Sequence, residues 1–446
     1  MHILDLPVET TDAVVDQLAA EPDRPALRAL ALTHSRVSYR ARRHLHREAR
    51  VTTKSAKDIR AVYLGIKDFV NILHIELGLP ADGDSENRTE VLLDWNVSWK
   101  WQAIKEIRID KTAIPIRVES KRDYGVFDWQ DKTVETFRLS NVWFEHFDDF
   151  ASLIFPLPKL RDLYIDNIKV KHFFDPSRKC WAPRRSIRNV YITGEWNLFT
   201  LYAMDWFEKY KKRKEQGKGG ANICTVQIPY PLIRDPTRFA NFMDVVSDTL
   251  THLTIDYYSR DMGCIGGAAH LSIGLSALPK LESLTLKCVP LPEVDLIQFF
   301  HGSPMQWMAN VLGEVDSTSL REVHFHCHLV FPIDMKSFPF KDVQTILSTQ
   351  QFPNLESITF HIPSRSPLYC RSVLPAETYV SNIIRTIQEG LPNLWGKGVI
   401  QVVDSEDEVH MDVYYGSHRV GGADDITESF IHRDIFIGDL TLNVQF

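Results

Sequence analysis

The chain has no two cysteines close enough to share a metal ion or a redox disulfide. Its six (Cys180, Cys224, Cys264, Cys288, Cys327 and Cys370) each lie more than twenty residues from the next. A small zinc module or a thioredoxin-type centre needs C-x-x-C spacing, so the thiols read as small, reduced hydrophobes. Long apolar runs are missing too. A membrane helix needs about 20 uncharged apolar residues, and the nearest stretch, Cys264 to Leu278, is Gly-rich and carries His270. No membrane association is therefore expected. Charge of one sign is scarce: the net of −7 over 446 residues fits neither a nucleic-acid wrapper nor an acidic tail. With 21 Gly and 23 Pro, low complexity is excluded as well. The opening Met1-His2-Ile3-Leu4-Asp5 turns acidic at once, unlike a secretory or transit signal, so the expected location is cytoplasmic, nuclear or both.

Catalytic signatures are equally absent. There is no G-x-S-x-G, H-E-x-x-H, kinase set or G-x-G-x-x-G after a strand. Gly217-Lys218-Gly219-Gly220 does not complete a phosphate-binding loop. The chain is expected to be no enzyme and to carry no cofactor or metal.

What is present is the material of an ordinary globular protein, 44% hydrophobic and 24% charged. At roughly 150 residues per domain the length allows about three domains. The first fifty residues stand apart. Residues 1–23 hold six acids and no Lys or Arg, whereas residues 24–50 hold eight Arg and one acid, Glu48. Three short helical patterns carry this reversal. Val14, Val15 and Leu18 share one face after Pro7; Leu27, Leu30 and Ala31 share another; Ala41, Leu45 and Ala49 recur every four residues. The arginines spread around the third helix, beside an acidic segment, which argues against a DNA recognition helix. A unit this small buries little apolar surface and usually packs on a neighbour or a partner.

These residues resemble a known module. Leu6-Pro7-Val8-Glu9, Val14-Val15-Asp16-Gln17-Leu18, Leu27-Arg28-Ala29-Leu30-Ala31-Leu32 and Arg40-Ala41-Arg42-Arg43-His44-Leu45 are similar, in order and spacing, to the F-box of large fungal F-box families. The chain has His34 and Val37 where members often carry a Cys and a Trp. The resemblance implies docking on a Skp-type adaptor of a cullin–RING ubiquitin ligase. By position, Leu6, Pro7, Val14, Val15, Leu18, Leu27 and Leu30 would supply the adaptor-binding surface. The alternative is that these side chains only pack the three helices together.

From residue 104 onward one pattern returns, apolar-x-x-apolar-x-apolar. It starts at Ile104, Val134, Leu160, Ile187, Ile223, Leu250, Leu281, Leu320 and Leu355, at intervals of 26 to 39 residues. Several copies follow a common loop: Leu157-Pro158-Lys159-Leu160, Leu278-Pro279-Lys280-Leu281 and Phe352-Pro353-Asn354-Leu355. A further Leu391-Pro392-Asn393-Leu394 degrades into Trp395-Gly396. In each copy the last two apolar residues lie two apart, on one face of a short strand. Helix-like stretches lie between copies: Phe144 to Phe155, Leu198 to Tyr210, Phe239 to Val246, Val343 to Leu347 and Tyr379 to Ile387. The expected fold is an α/β solenoid: a three-helix F-box-like head, then an irregular leucine-rich-repeat arc with parallel strands. The expected boundaries are a helical domain over 1–52, a helical connector over 53–100, the solenoid over 101–400 and a strand-rich cap over 401–446. A parallel-sheet α/β enzyme competes for the same strands, but explains the repeated Leu-Pro-Lys-Leu loops poorly.

Two polar clusters stand out. In His324-Phe325-His326-Cys327-His328, alternation turns Val323, Phe325, Cys327 and Leu329 inward and His324, His326 and His328 outward, as a candidate target-contact or pH-sensitive patch. Lys209-Tyr210-Lys211-Lys212-Arg213-Lys214 reads either as an import signal or as the solvated end of a helix. Together the expectation is a substrate-recognition adaptor: the head binds a Skp-type adaptor and cullin complex, and the arc binds a protein target. The alternatives are a repeat-protein scaffold with a vestigial head, and an intracellular hydrolase or transferase.

Overall fold

The computed structural model describes residues 7–20, 24–32, 35–52, 70–76, 104–110, 133–155, 157–172, 183, 185–194, 197–215, 221–230, 236–258, 273–289, 305–327, 335–336, 338–348, 352–362, 376–404, 435–437 and 440–442. Three helices open the chain: α1 (Val8–Ala20), α2 (Arg24–Ala31) and α3 (Ser35–Leu45). They close on a core of their own, made of Val15, Leu27, Ala31, Val37 and Ala41, with Leu18, Ala19, Leu30 and Leu45 at its edge. The buried Ser38 hydroxyl donates to the Ala31 carbonyl at 2.8 Å and ties α3 to the end of α2. The charge reversal is consumed inside this unit. Arg40 on α3 reaches Asp12 at 2.6 Å and grips Asp16 through Nε at 2.7 Å, and His44 meets Asp16 at 2.8 Å. The hydrogen bonds from Arg40 and His44 hold the Asp16 carboxyl far below the usual range.

The rest is α/β. Twelve strands form one sheet: β1 (Glu48–Thr52), β2 (Ile72–Glu76), β3 (Glu106–Asp110), β4 (Thr136–Ser140), β6 (Asp162–Asp166), β8 (Asn189–Thr193), β9 (Thr225–Pro229), β10 (His252–Tyr258), β11 (Ser283–Val289), β12 (Glu322–Cys327), β13 (Ser357–Ile362) and β14 (Ile400–Asp404). Two further short strands, β5 (Trp143–His146) and β7 (Lys169–His172), pair parallel beside it. Every pairing in the large sheet is parallel. Spatial order is also chain order, so each strand lies against the strands of its sequence neighbours. A doubly wound enzyme sheet reverses direction at a switch point; this order has no reversal, and β1 and β14 end it without closing a barrel.

Along each strand the residues facing the core are buried and apolar, and most of those facing away are polar or aromatic. The pattern in β3, β4, β6 and β8 is a strict alternation of buried and half-buried residues. The leading apolar residue of a copy turns under the sheet: Leu160, Ile187, Ile223, Leu250, Leu281 and Leu320 are fully buried. A shared hydrogen bond repeats at this turn. The carbonyl of Arg161 accepts from the N–H groups of Arg188 at 2.8 Å and Asn189 at 3.0 Å, and the same two-donor arrangement recurs from Arg47 through Arg321.

The core side of the sheet carries helices α4 (Phe147–Ile154), α5 (Leu198–Glu215), α6 (Pro236–Val246), α7 (Gln306–Glu314), α8 (Phe340–Ser348), α9 (Ala376–Gly390) and α10 (Pro392–Gly396). Their buried stripes follow helical spacing, as with Phe199, Ala203, Met204, Phe207 and Tyr210 on α5 and Phe239, Phe242, Met243 and Val246 on α6. Strand and helix residues join in one continuous core separate from that of the head. At its thickest it is aromatic: Phe150 packs edge-on against Phe199 at 4.9 Å and Trp206 at 5.5 Å. Helices touch their neighbours along the chain, α5 with α6, α7 with α8 and α8 with α9, so each unit buries its face on the next.

Three expected boundaries need correction. The sheet begins with β1 inside the segment assigned to the head over 1–52. The described part of the expected helical connector, 70–76, is strand β2, because Val70, Leu73 and Ile75 repeat the strand motif and are all buried. The expected cap over 401–446 opens with β14, the last strand of the main sheet. Its other described part is a two-stranded antiparallel hairpin, β15 (Ile435–Ile437) and β16 (Leu440–Leu442). Among the described residues no helix is long and apolar enough to cross a membrane.

Candidate binding face

Residues at alternate strand positions point away from the core and form rows running across the sheet. Over β3 to β8 these rows are densely cross-linked. Glu106 accepts from Arg108 at 2.8 Å and Arg138 at 2.7 Å. Asp162 takes the Asn189 amide at 2.5 Å, and Asp166 accepts from Ser140 at 3.0 Å and Thr193 at 2.7 Å. In the middle row the Arg138 guanidinium lies 3.6 Å over the Tyr164 ring. Tyr164 in turn stacks on Tyr191, with centroids 4.3 Å apart and planes 6° from parallel. Register puts these side chains on successive strands, so the parallel sheet itself stacks them. Burial, reinforced by the neighbouring Tyr164, pushes the Tyr191 phenol up to about 12.

Just beyond each of these strands the backbone turns through the left-handed region: Asn141 at φ 55°, Asn167 at φ 48° and Gly194 at φ 92°. The Asn167 amide donates to the Asn141 side-chain oxygen at 2.7 Å, a short ladder across two repeats. A Cβ at Gly194 would stand 3.2 Å from the Asn167 backbone nitrogen, so the third rung is glycine.

In the centre of the face Asp256 breaks the rule. Its position faces outward, between Pro229 and Lys287 in register, yet it is only 2% exposed. Gln227 donates to one carboxyl oxygen at 2.7 Å, and the other has no hydrogen-bond partner among the described residues. Burial raises the Asp256 carboxyl to about 6, against the opposing pull of Lys287 and Gln227.

The histidine patch occupies the far end. Val323, Phe325 and Cys327 are buried, and His324 and His326 are half-buried on the outward side, as alternation requires. His328 and Leu329 lie outside the described residues. The structure adds a histidine that sequence reading missed. His361 on β13 stacks on His326 at 4.0 Å, with planes 10° apart, and its Nε2 lies 3.3 Å from His324 Nδ1. Aligning the copies would have revealed it, since His326 and His361 each stand six residues after the copy's first apolar residue. Glu322 approaches His324 from the same strand at 3.4 Å. Among the described residues no group of three or more His, Cys, Asp or Glu is arranged to hold a metal ion. Buried Cys327 lies in register with Cys288, and burial pushes its thiol far up. Such a face offers contacts: a flat aromatic–guanidinium platform at one end and imidazoles at the other.

In the head, the residues expected at an adaptor surface divide. Val15 and Leu27 lie in the core, Val14, Leu18 and Leu30 are half-buried, Pro7 is exposed and Leu6 is outside the described residues. Three exposed apolar side chains were missed: Val8 at 50%, Leu32 at 83% and Tyr39 at 60%. None of the three belongs to the spaced sets Val14, Val15 and Leu18, Leu27, Leu30 and Ala31, or Ala41, Leu45 and Ala49, so periodicity alone does not flag them. The basic run at 209–214 ends α5, and Lys211 is held by Asp244 at 2.8 Å.

No protein-family model matches the chain, and no curated protein matches it. Among solved structures the chain is similar to a protein from Bacteroides fragilis determined by the Northeast Structural Genomics Consortium. Identity is 14%, over 64% of this chain and 80% of that one, with a TM-score of 0.35.

Proposed function

We propose that the chain is a non-catalytic substrate-recognition adaptor of an SCF-type cullin–RING ubiquitin ligase. The three-helix head docks on a Skp-type adaptor, and the outward sheet face of the repeat arc holds a protein target. Holding a target near the ligase raises its effective concentration there, which is all that such an adaptor contributes. The observation that carries this reading is the division of the chain into two separate cores. The head closes on five buried residues of its own and leaves Val8, Leu32 and Tyr39 exposed. These exposed apolar side chains are what a docking surface on the head would use. The arc buries one side of its sheet and keeps the other polar, aromatic and accessible.

One observation favours a second reading, a repeat scaffold with a vestigial head. Val15 and Leu27, both expected at the adaptor surface, are buried within the head. Affinity capture of the full-length chain with a purified Skp-type adaptor separates the two. The proposal expects a stable complex that Leu32→Asp and Leu18→Asp both weaken, with the fold unchanged for the exposed Leu32. If the folded wild-type chain ignores the adaptor, the ligase reading fails.

A further inference from the structure

On the rim of the sheet, just before the strands, a shallow depression of about 410 Å³ is lined by Glu135, Pro158, Lys159, Arg161, Ser186, Arg188 and Asn222. We propose that it binds a phosphate monoester or inorganic phosphate. Neither the adaptor nor the target reading is needed for this site.

Charge along the rim carries the argument. One residue per repeat occupies this row, and its backbone carbonyl makes the shared turn hydrogen bond, so its side chain is set about 4.8 Å from the next. Elsewhere along the row opposite charges meet: Lys105 with Glu135 at 4.0 Å, and Arg321 with Glu356 at 3.6 Å. At the depression the order fails. Arg161 and Arg188 are adjacent and alike, and among the described residues neither has an ion pair. Like charges side by side on a sheet repel. Lys159, delivered by the Leu157-Pro158-Lys159-Leu160 loop, adds a third cation with no ion pair among the described residues. Glu135 also lines the depression, but its described partner is Lys105. Three cations against one engaged carboxylate leave a net of about two positive charges, which matches a phosphate monoester dianion.

The walls supply neutral donors as well. The Ser186 hydroxyl is buried and has no hydrogen-bond partner among the described residues. It turns about a single bond and can swing toward the depression. Asn222 contributes an amide. Two guanidiniums, an ammonium, the hydroxyl and the amide N–H groups can all donate to a tetrahedral oxyanion, with Glu135 the one carboxylate in the lining.

Calorimetric titration of the full chain tests the site with inorganic phosphate, a five-residue phosphoserine peptide and the same peptide unphosphorylated. The expected result is saturable one-to-one binding that Arg161→Gln combined with Arg188→Gln weakens by about tenfold or more. Arg321→Gln, at the same repeat position but ion-paired elsewhere, leaves binding unchanged. Tighter binding of the phosphopeptide than of phosphate, with none by the unphosphorylated peptide, identifies a phosphorylated side chain as the source. Equal binding identifies the free anion. Absence of saturable binding by either probe overturns the proposal, as does a double variant that keeps its thermal midpoint and binds like the wild type.

Discussion

Asp256→Asn should remove a loss of stability that the folded chain suffers as pH rises from about 4 to about 6. The carboxyl is raised by burial from 3.8 to about 6 in the folded state. Between those values the folded chain binds more protons than the unfolded one, so stability falls as pH rises through that window and then levels off. Two units correspond to roughly 3 kcal/mol at 1.36 kcal/mol each. Between pH 4 and pH 8 the part recovered by removing the charge is about 2 kcal/mol. The asparagine also alters hydrogen bonds, for its amide nitrogen takes the place of an oxygen, but that change is independent of pH. Urea denaturation of both proteins at the two pH values isolates the ionisation: the stability difference, variant minus wild type, should grow by about 2 kcal/mol toward pH 8. A difference that stays constant with pH would refute the burial of an ionisable Asp256 in the sheet face.

Other consequences are more local. Phe325→Ala removes a fully buried ring stacked on Phe360 and edge-on to Phe338, and should lower stability by about 3–5 kcal/mol in chemical denaturation. At Gly390 an added methyl would overlap the Phe340 ring, so Gly390→Ala should destabilise by about 1–3 kcal/mol in the same assay. A double-mutant cycle on Tyr164 and Tyr191, each to Ala, should report a coupling of about 0.5–1.5 kcal/mol for the stack. Acid should loosen the head. Arg40 and His44 hold the Asp16 carboxyl low, so their support is present above the ordinary carboxylate pKa and is lost as pH falls below it. Asp16→Asn should remove that acid sensitivity, read as helical circular dichroism of the full chain against pH.

Much of the architecture was legible because its signals are local. A strand copy such as Leu281-Glu-Ser-Leu284-Thr-Leu286 states its period of two within six residues, and all nine copies read from the sequence became neighbouring strands. The five helix-like stretches overlap α4, α5, α6, α8 and α9, although Phe144 to His146 of the first belong to strand β5. Helix α7 gives little periodic signal, because Trp307, Met308, Ala309, Val311 and Leu312 are buried over a wide arc. The copy at Val70 stands apart from the run that begins at Ile104, and the residues around it carry no second copy to set its period.

The repeat, the strand faces, the order of the helices and the outward turn of His324 and His326 all follow from spacing within a few residues. Which side chains meet across the arc does not, because it depends on packing between distant segments. Arg161 and Arg188, His326 and His361, Tyr164 and Tyr191 are each 27 to 35 residues apart in sequence and one strand apart in space. Parallel register brings such pairs together, and register depends on how every intervening crossover packs. The same holds for Asp256: alternation places it outward, and its burial comes from surroundings that no local pattern encodes. The cysteines show both halves of the lesson. Their wide spacing is plain in the sequence, while the pairing of Cys288 with Cys327 in register appears only when repeats 39 residues apart lie side by side.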